Sequence, residues 1–140
     1  MKIEFDIKGK VKAKQSVKFT KAGIKYTPSD VVEYSNFVKV SFINKFPAWN
    51  TEMLRDKPLK VNIDVYMPVP ASYTNKKKMQ AIANELRPIV KPDCDNIAKN
   101  INDSLNGILF PDDKQIVSLT VNKYYSGNEY VKVTVETLTD

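Results

Sequence analysis

The sequence predicts an α+β (mixed α/β) layer fold. Two observations support this fold class. Segments that alternate apolar and polar residues lie near both ends and in the middle of the chain, and apolar residues recur at helical spacing between them. The length of 140 residues suits one domain, so we expect residues 1–140 to form a single unit.

The first strand lies at the start of the chain, where Ile3, Phe5 and Ile7 alternate with charged residues. After a turn, residues 10–25 form an extended basic arm that contains no acidic residue. Such a stretch usually lies in solvent, but it is also the best candidate in this chain for phosphate contacts.

A helix is predicted from Asp30 to about Phe46, because apolar residues recur at helical spacing after a start that resembles a capping box. Strict alternation predicts a second strand over residues 59–67. A second helix is predicted over residues 75–86, and its expected apolar face consists of Met79, Ile82, Ala83 and Leu86.

The end of the chain predicts two more strands, over residues 115–125 and 130–138. Val117, Leu119 and Val121 alternate with polar residues in the first of these strands. Because only a short turn containing Gly127 separates the two strands, we expect them to pair as a C-terminal hairpin.

Composition excludes several classes of function. The chain has a net charge of +6, which favours an anionic partner such as nucleic acid. It has no histidine and one cysteine, Cys94, so a Ser-His-Asp triad, a disulfide framework and a multi-thiolate zinc site are all excluded. No apolar stretch approaches the ~20 residues that span a bilayer, and we expect a cytoplasmic protein.

The segment from Lys91 to Asp113 carries the most informative pattern. Residues 96–108 predict an amphipathic helix with a buried stripe of Ile97, Ile101, Leu105 and Ile108. Its other side carries Asp95, Lys99, Asn102, Asp103 and Asn106. Structural roles explain part of this pattern, since an aspartate caps a helix N-terminus and residues 95 and 99 have the spacing of an i,i+4 ion pair.

Three features favour a metal site instead. Asp93 and Asp95 lie one residue apart and repel each other unless a cation compensates them. A second acidic pair, Asp112 and Asp113, follows the helix in a loop that can fold back. Without histidine, the ligands are oxygens, which suit Mg²⁺ or Mn²⁺. The positions of glycine and glutamate that an EF-hand loop requires are absent.

These residues resemble the RusA-type Holliday junction resolvases, the crossover junction endodeoxyribonucleases that phage and prophage genomes commonly carry. The resemblance is dense over residues 91–123. The matching residues are Lys91, Pro92, Asp93, Asp95, Asn96, Lys99, Asp103, Leu105, Asn106, Asp112, Asp113, Gln115 and Val117.

The resemblance implies a single mixed sheet of about four to five strands with helices packed on it. It also implies a homodimer of bacterial or prophage origin that cuts four-way junctions with Mg²⁺ or Mn²⁺. By position, the metal-binding carboxylates are Asp93, Asp95 and Asp113, and Lys99 is the catalytic lysine. Asp103 and Asp112 match acidic family positions that we expect to serve structure or the outer shell of the site.

Lysines in three segments are expected to contact DNA phosphates. They are Lys10, Lys12, Lys14, Lys76, Lys77, Lys78 and Lys91. Two other functions remain open at this point: a non-catalytic DNA-binding module of phage origin, and a nuclease that acts on forks or flaps. Cys94 is expected to be a small buried spacer between two ligands.

Overall fold

The structure is a computed structural model that describes residues 1–12, 18–19, 21–23, 25–26 and 29–139. Its strands form a four-stranded mixed sheet and a short two-stranded ribbon, as expected for the α+β class. In chain order the strands are β1 (Lys2–Lys8), β2 (Lys18–Phe19), β3 (Lys25–Tyr26), β4 (Leu59–Pro68), β5 (Ile116–Ser126) and β6 (Tyr130–Thr137).

The helices occupy the predicted positions, with shifted ends. They are α1 (Ser29–Lys45), α2 (Asn75–Ile82) and α3 (Cys94–Leu105). Short 3₁₀ turns cover Thr51–Leu54 and Asp113–Gln115. No helix in the described part of the chain is long and apolar enough to cross a membrane.

The sheet has the order β1-β6-β4-β5, so the predicted C-terminal hairpin is wrong. Strand β4 lies between β5 and β6, pairing parallel with β5 and antiparallel with β6. The short turn after Ser126 therefore crosses the end of β4 instead of joining adjacent strands. The burial of the strands explains the order: β4 is buried at every second position, whereas Val117 and Leu119 leave β5 partly exposed at the sheet edge.

One face of the sheet packs against α1 and α3 to form the core. The alternating apolar residues of β1, β4 and β6 share a buried cluster with Val38 and Phe42 of α1 and with Ile97, Ile101 and Leu105 of α3. This burial confirms the predicted helical stripes. The fourth predicted member, Ile108, lies beyond the end of α3 and is only partly buried.

Helix α2 is shorter than predicted and buries a different residue. It ends at Ile82, and Asn84 then adopts a left-handed conformation with φ 63° that cannot continue an α-helix. Met79 is 73% exposed and Ile82 55% exposed, whereas Ala81 is buried. The predicted apolar face of α2 is therefore wrong: Ala83 and Leu86 lie beyond the end of the helix, and Ala81 is its buried residue.

The other face of the sheet is open, and the charges of its strand residues sum to zero, while the Arg87 guanidinium lies 4.1 Å from the centre of the Tyr124 ring. Even-numbered residues of the four strands lie on this face, as the registers of the strand pairs show. Tyr66 stacks between Tyr124 and Tyr130, with ring centroids 5.4 and 4.5 Å away. The charged residues of the face are four lysines and four acids: Lys2, Lys8, Lys60, Lys132, Glu4, Asp6, Asp64 and Glu136.

Candidate active site

The exposed side of α3 presents a line of charged residues. Asp95, Lys99 and Asp103 are exposed and follow each other at intervals of four residues, which places them on one side of the helix. Burial of the opposite stripe fixes this orientation. Asp93 occupies the N-cap position directly before the helix and is exposed as well.

Neither structural role considered for these aspartates is observed. The side chain of Asp93 accepts no capping hydrogen bond from the helix N-terminus. Among the described residues, the ion pairs join Arg55 to Glu52 and Lys132 to Glu4, and none joins Asp95 to Lys99. The carboxylates of Asp93 and Asp95 are therefore held at the surface without a capping hydrogen bond or an ion pair to Lys99, and the folding role that remains for them is their favourable position at the helix N-terminus.

Two side-chain contacts attach the start of α3 and the segment before it to strand β5. Lys123 Nζ donates hydrogen bonds to the carbonyl oxygens of Val90 and Pro92, the second over 3.0 Å. The sulfur of Cys94 lies 3.9 Å from the carbonyl oxygen of Val121. Cys94 is exposed, so the prediction of a buried spacer is wrong. These contacts fix the chain on which Asp93 is carried.

The turn that carries Asp112 and Asp113 has its own anchors. The carboxylate of Asp112 accepts a hydrogen bond from the backbone N–H of Lys114 over 3.0 Å, and this bond is the main cause of its lowered pKa. Gln115 Nε2 donates to the carbonyl oxygens of Leu54 and Lys57. Asp112 thus caps the 3₁₀ turn, which agrees with the structural role expected for it.

Asp113 lies among other negative charges. Partial burial, a hydrogen bond with Asp112 and the charges of Asp112 and Asp103 raise its pKa. Among the described residues, no group of three or more His, Cys, Asp or Glu side chains is close enough to hold a metal ion. The set of Asp93, Asp95 and Asp113 as metal ligands therefore stays a prediction, and the acidic neighbours of Asp113 are Asp103 and Asp112.

A buried polar seam joins α3 to α1 and to the start of the basic arm. Asn100 Nδ2 donates to the carbonyl oxygen of Lys12 over 3.0 Å. Ser104 Oγ lies 2.7 Å from Ser35 Oγ of α1 and also bonds the carbonyl oxygen of Asn100. The helix that carries Asp95 and Lys99 thus fixes the backbone position of the predicted DNA-contacting residue Lys12.

Several of the predicted DNA-contacting lysines meet at one cleft, here called the tyrosine cleft. Lys10, Lys91, Tyr73 and Tyr125 line it, and its volume is about 260 Å³. Lys77 Nζ lies 4.3 Å from the centre of the Tyr73 ring, in a cation–π contact. The structure therefore brings together lysines from the basic arm, α2 and the segment before α3.

The remaining predicted lysines are less constrained. Lys76 is exposed and Lys78 partly exposed in the first turn of α2. Lys14 lies outside the described residues.

At the tyrosine cleft, the Tyr73 hydroxyl lies 3.2 Å from that of Tyr125, and this hydrogen bond together with burial raises the pKa of Tyr125 to about 12.

Comparison with known proteins identifies the family. A family model described as Endodeoxyribonuclease RusA matches residues 8–136. The chain belongs to the RusA endodeoxyribonuclease family. It is also similar to the uncharacterized protein YqaN of Bacillus subtilis (strain 168), with 41% identity over 80 residues. Those residues make up 56% of this chain and 56% of YqaN, so the match covers little more than half of that relative.

The donor set of this RusA-family chain fits a hard divalent cation. Nucleases of the family are generally dependent on a divalent metal. Asp93 and Asp95 offer exposed carboxylate oxygens, and Asp113 is a carboxylate that other negative charges destabilise. Oxygen donors of this kind are those that Mg²⁺ and Mn²⁺ prefer, and a cation would offset the repulsion at Asp113.

Two positioning residues of the site escaped sequence reasoning. Lys123 and Asn100 both act by donating hydrogen bonds to backbone carbonyl groups of segments distant in the sequence. No local sequence pattern identifies a side chain that donates to a backbone carbonyl group of a distant segment. For Asn100 there was one usable signal, since an amide flanked by buried helix positions needs a partner.

We expect Lys123→Met to loosen the segment before α3. Removing the ammonium group leaves the carbonyl groups of Val90 and Pro92 without their donor, so the start of α3, where Ile97 N–H bonds the Asp93 carbonyl oxygen, should open more readily and its amide hydrogen exchange should accelerate about tenfold, the effect of losing about 1.4 kcal/mol of local stability. Hydrogen exchange followed by mass spectrometry measures this change. Lys60→Met on the open face is the matched control and should leave that exchange unchanged; equal acceleration in both variants would contradict the role of Lys123.

We expect Asp113→Asn to stabilise the folded chain at neutral pH. Because the pKa of Asp113 is raised above its usual value of 3.8, its ionised form is less favourable in the folded than in the unfolded state. The gain should stay below about 1 kcal/mol, since solvent screens this partly exposed site.

The pH dependence provides the check on Asp113→Asn. The gain should be present above the raised pKa and vanish below pH 3.8, where the wild-type carboxyl is protonated in both states. Thermal melts at several pH values measure it. Asp112→Ala should show the opposite sign at neutral pH, because it removes the cap of the turn. A loss of stability in Asp113→Asn at neutral pH would refute the electrostatic account.

Proposed function

We propose that this chain is a Mg²⁺-dependent endodeoxyribonuclease that resolves four-way DNA junctions by paired hydrolysis of phosphodiester bonds. The observation that carries the proposal is the exposure of Asp93, Asp95 and Lys99 without structural partners that account for it. All three are exposed at the start of α3, and neither a cap nor an ion pair between residues 95 and 99 accounts for them. Membership of an endodeoxyribonuclease family supports the same chemistry.

In this proposal Asp93, Asp95 and Asp113 hold the metal ion, with Mn²⁺ as an alternative to Mg²⁺. The ion, when bound, supplies charge neutralisation at the scissile phosphate and a water of lowered pKa. Lys99 lies one helical turn after Asp95, from where its ammonium group stabilises negative charge that develops on the phosphate or the leaving oxygen. Lys123 and Gln115 position the two segments that carry the carboxylates.

DNA binding is assigned to the basic surface around the tyrosine cleft. Lys10, Lys77 and Lys91 meet there, and Lys91 is close in sequence to Asp93, whereas the charges of the strand residues on the open face of the sheet sum to zero. Phosphate contacts of this kind position a duplex without reading its sequence, which suits an enzyme that recognises branched structure. A homodimer would present two such sites to the two-fold symmetry of a four-way junction.

We expect Asp95→Asn to abolish cleavage while junction binding survives. Asparagine keeps the shape of the side chain but removes the charge that a metal ligand requires. The loss in rate should exceed the about 10–100-fold effect of removing an outer-shell partner. Mg²⁺-dependent cutting of a synthetic four-way junction measures the rate, and an electrophoretic mobility shift in Ca²⁺ measures binding.

Asp6→Asn on the open face is the control for Asp95→Asn and should cut normally. Normal cutting by Asp95→Asn in Mg²⁺ would overturn the assignment of the site. Absence of cutting by the wild-type protein, with intact junction binding, would favour the non-catalytic DNA-binding module. Faster cutting of forks or flaps than of four-way junctions would favour the third function considered from the sequence.

We expect the first turn of α2 to contribute to the salt dependence of DNA binding. Replacing Lys76, Lys77 and Lys78 together by glutamine should reduce the slope of log K against log salt by about 0.9 for each phosphate that these lysines neutralise. Fluorescence anisotropy of a labelled junction across a salt series measures the slope. The control carries the same charge change on the open face, with Lys2, Lys60 and Lys132 replaced by glutamine, and should keep the wild-type slope. Equal slopes in the two variants would show that DNA contacts a surface other than the first turn of α2.

A further inference from the structure

The tyrosine cleft has an aromatic interior and a charged rim. The charges belong to the exposed residues Lys10, Lys91 and Glu129. Five ring side chains supply much of the wall, those of Tyr66, Pro68, Pro70, Tyr73 and Tyr125. DNA phosphates bind lysines and gain nothing from an aromatic wall. The phosphate contacts assigned to the lysines therefore leave the interior of the cleft without a role.

The volume of the cleft limits what can enter it. A cavity of about 150 Å³ accommodates one benzene ring, so a cleft of about 260 Å³ has room for a single nucleobase. It is too small for a base pair. It is also smaller than the roughly 300–1,000 Å³ of pockets that bind larger small molecules.

The charges of the cleft favour a nucleotide over other ligands that contain a ring. Lys77 Nζ lies 4.3 Å from the centre of the Tyr73 ring, so a third ammonium group borders the aromatic wall. A ligand that fills the cleft and satisfies its cations is both aromatic and anionic. An aromatic side chain of a partner protein would fill the same space but would leave the three ammonium groups without an anion.

The hydrogen-bonding groups of the cleft suit the edge of an unpaired base. In the Tyr73–Tyr125 pair one hydroxyl donates to the other, which leaves one O–H to donate to a ligand. The carboxylate of Glu129 accepts hydrogen bonds. The Watson–Crick edge of a base offers a donor and an acceptor together, but it is free for such contacts only when the base is unpaired.

We propose that the tyrosine cleft binds a single unpaired base of the DNA substrate, while Lys10, Lys77 and Lys91 hold the phosphates on either side of it. Lys91 precedes Asp93 by two residues, and two residues of chain span at most about 7 Å. The bound base thus belongs to a nucleotide beside the scissile phosphate. The inference rests on the proposed function and names the feature of the substrate that the cleft recognises.

A slot for one unpaired base provides a physical basis for selecting branched over linear DNA. Taking a base out of a duplex costs unpairing and unstacking, and this cost is lowest where pairing is already weakened. Pairs at the branch point of an open junction lack a stacked neighbour on one side, whereas pairs inside a duplex are stacked on both. Phosphate contacts alone would not make this distinction, because the phosphates are the same in both structures.

Junctions that carry or lack one unpaired base test the proposal. Each nucleotide near the branch point is in turn either mismatched or abasic, so that the cost of unpairing is absent from the comparison. Ca²⁺ replaces Mg²⁺ to prevent cutting, and fluorescence anisotropy measures the Kd. At one position, wild-type protein should bind the mismatched junction about 5- to 150-fold more tightly than the abasic one, the effect of stacking one base on aromatic side chains.

Variants of Tyr73 link this ratio of Kd values to the cleft. Tyr73→Ala removes one wall and should bring the ratio near one. Tyr73→Leu keeps apolar volume without the flat ring, and it should give the same result if the alanine variant melts at a lower temperature than wild type. Tyr73→Phe retains the ring and should retain most of the wild-type ratio.

Tyr124→Ala is the matched control. Tyr124 is also a partly buried tyrosine with a cation against its ring, since the Arg87 guanidinium lies 4.1 Å from the ring centre. It is not among the described residues that line the cleft. Tyr124→Ala should therefore keep the wild-type ratio at every position of the junction.

Three results would overturn the proposal. They are equal binding of mismatched and abasic junctions by the wild type at every position, a wild-type ratio in both Tyr73→Ala and Tyr73→Leu, and loss of the ratio in Tyr124→Ala in place of the Tyr73 variants. Failure of the nuclease assignment gives a different reading, because it is measured by Mg²⁺-dependent cutting in the wild type and Asp95→Asn, whereas the ratio is measured without cutting.

Discussion

The packing of α3 into the core determines where the candidate catalytic residues of this chain lie. Ile97, Ile101 and Leu105 are fully buried in the cluster that also contains the apolar face of β4. Because residues four apart share a side of a helix, burying this stripe leaves Asp95 and Lys99 on the surface. The apolar residues thus decide the orientation of the charged ones, and a change in the phase of the stripe would turn the charged line away from solvent.

Packing sets the phase of α3, and polar anchors set the position of the segments around it. Lys123 bonds the chain before the helix, Gln115 attaches the turn after the helix to residues 54–57, and Asn100 bonds the start of the basic arm. Each anchor donates to a backbone carbonyl group, which has no freedom to move by side-chain rotation. The carboxylates therefore lie on a framework held from several sides, as expected of a site that requires fixed geometry.

The parts of the fold that the sequence predicted are those that depend on local periodicity. The bounds of α1 and β4 and the buried stripe of α3 follow from spacing within one element, and the structure confirms them. The strand order does not follow from such spacing, because β4 lies between β5 and β6, which are neighbours in sequence. The role of Lys123 was equally unpredictable, since its acceptors lie 31 and 33 residues away.

Charge is unevenly distributed over the surfaces of the domain. The chain carries a net charge of +6, yet the charges of the strand residues on the open face sum to zero, and so do those of helix α1. The excess positive charge therefore lies on the remaining surface, which includes the tyrosine cleft and the segment before Asp93. In the proposed function, DNA drawn to that surface reaches the exposed carboxylates at the start of α3.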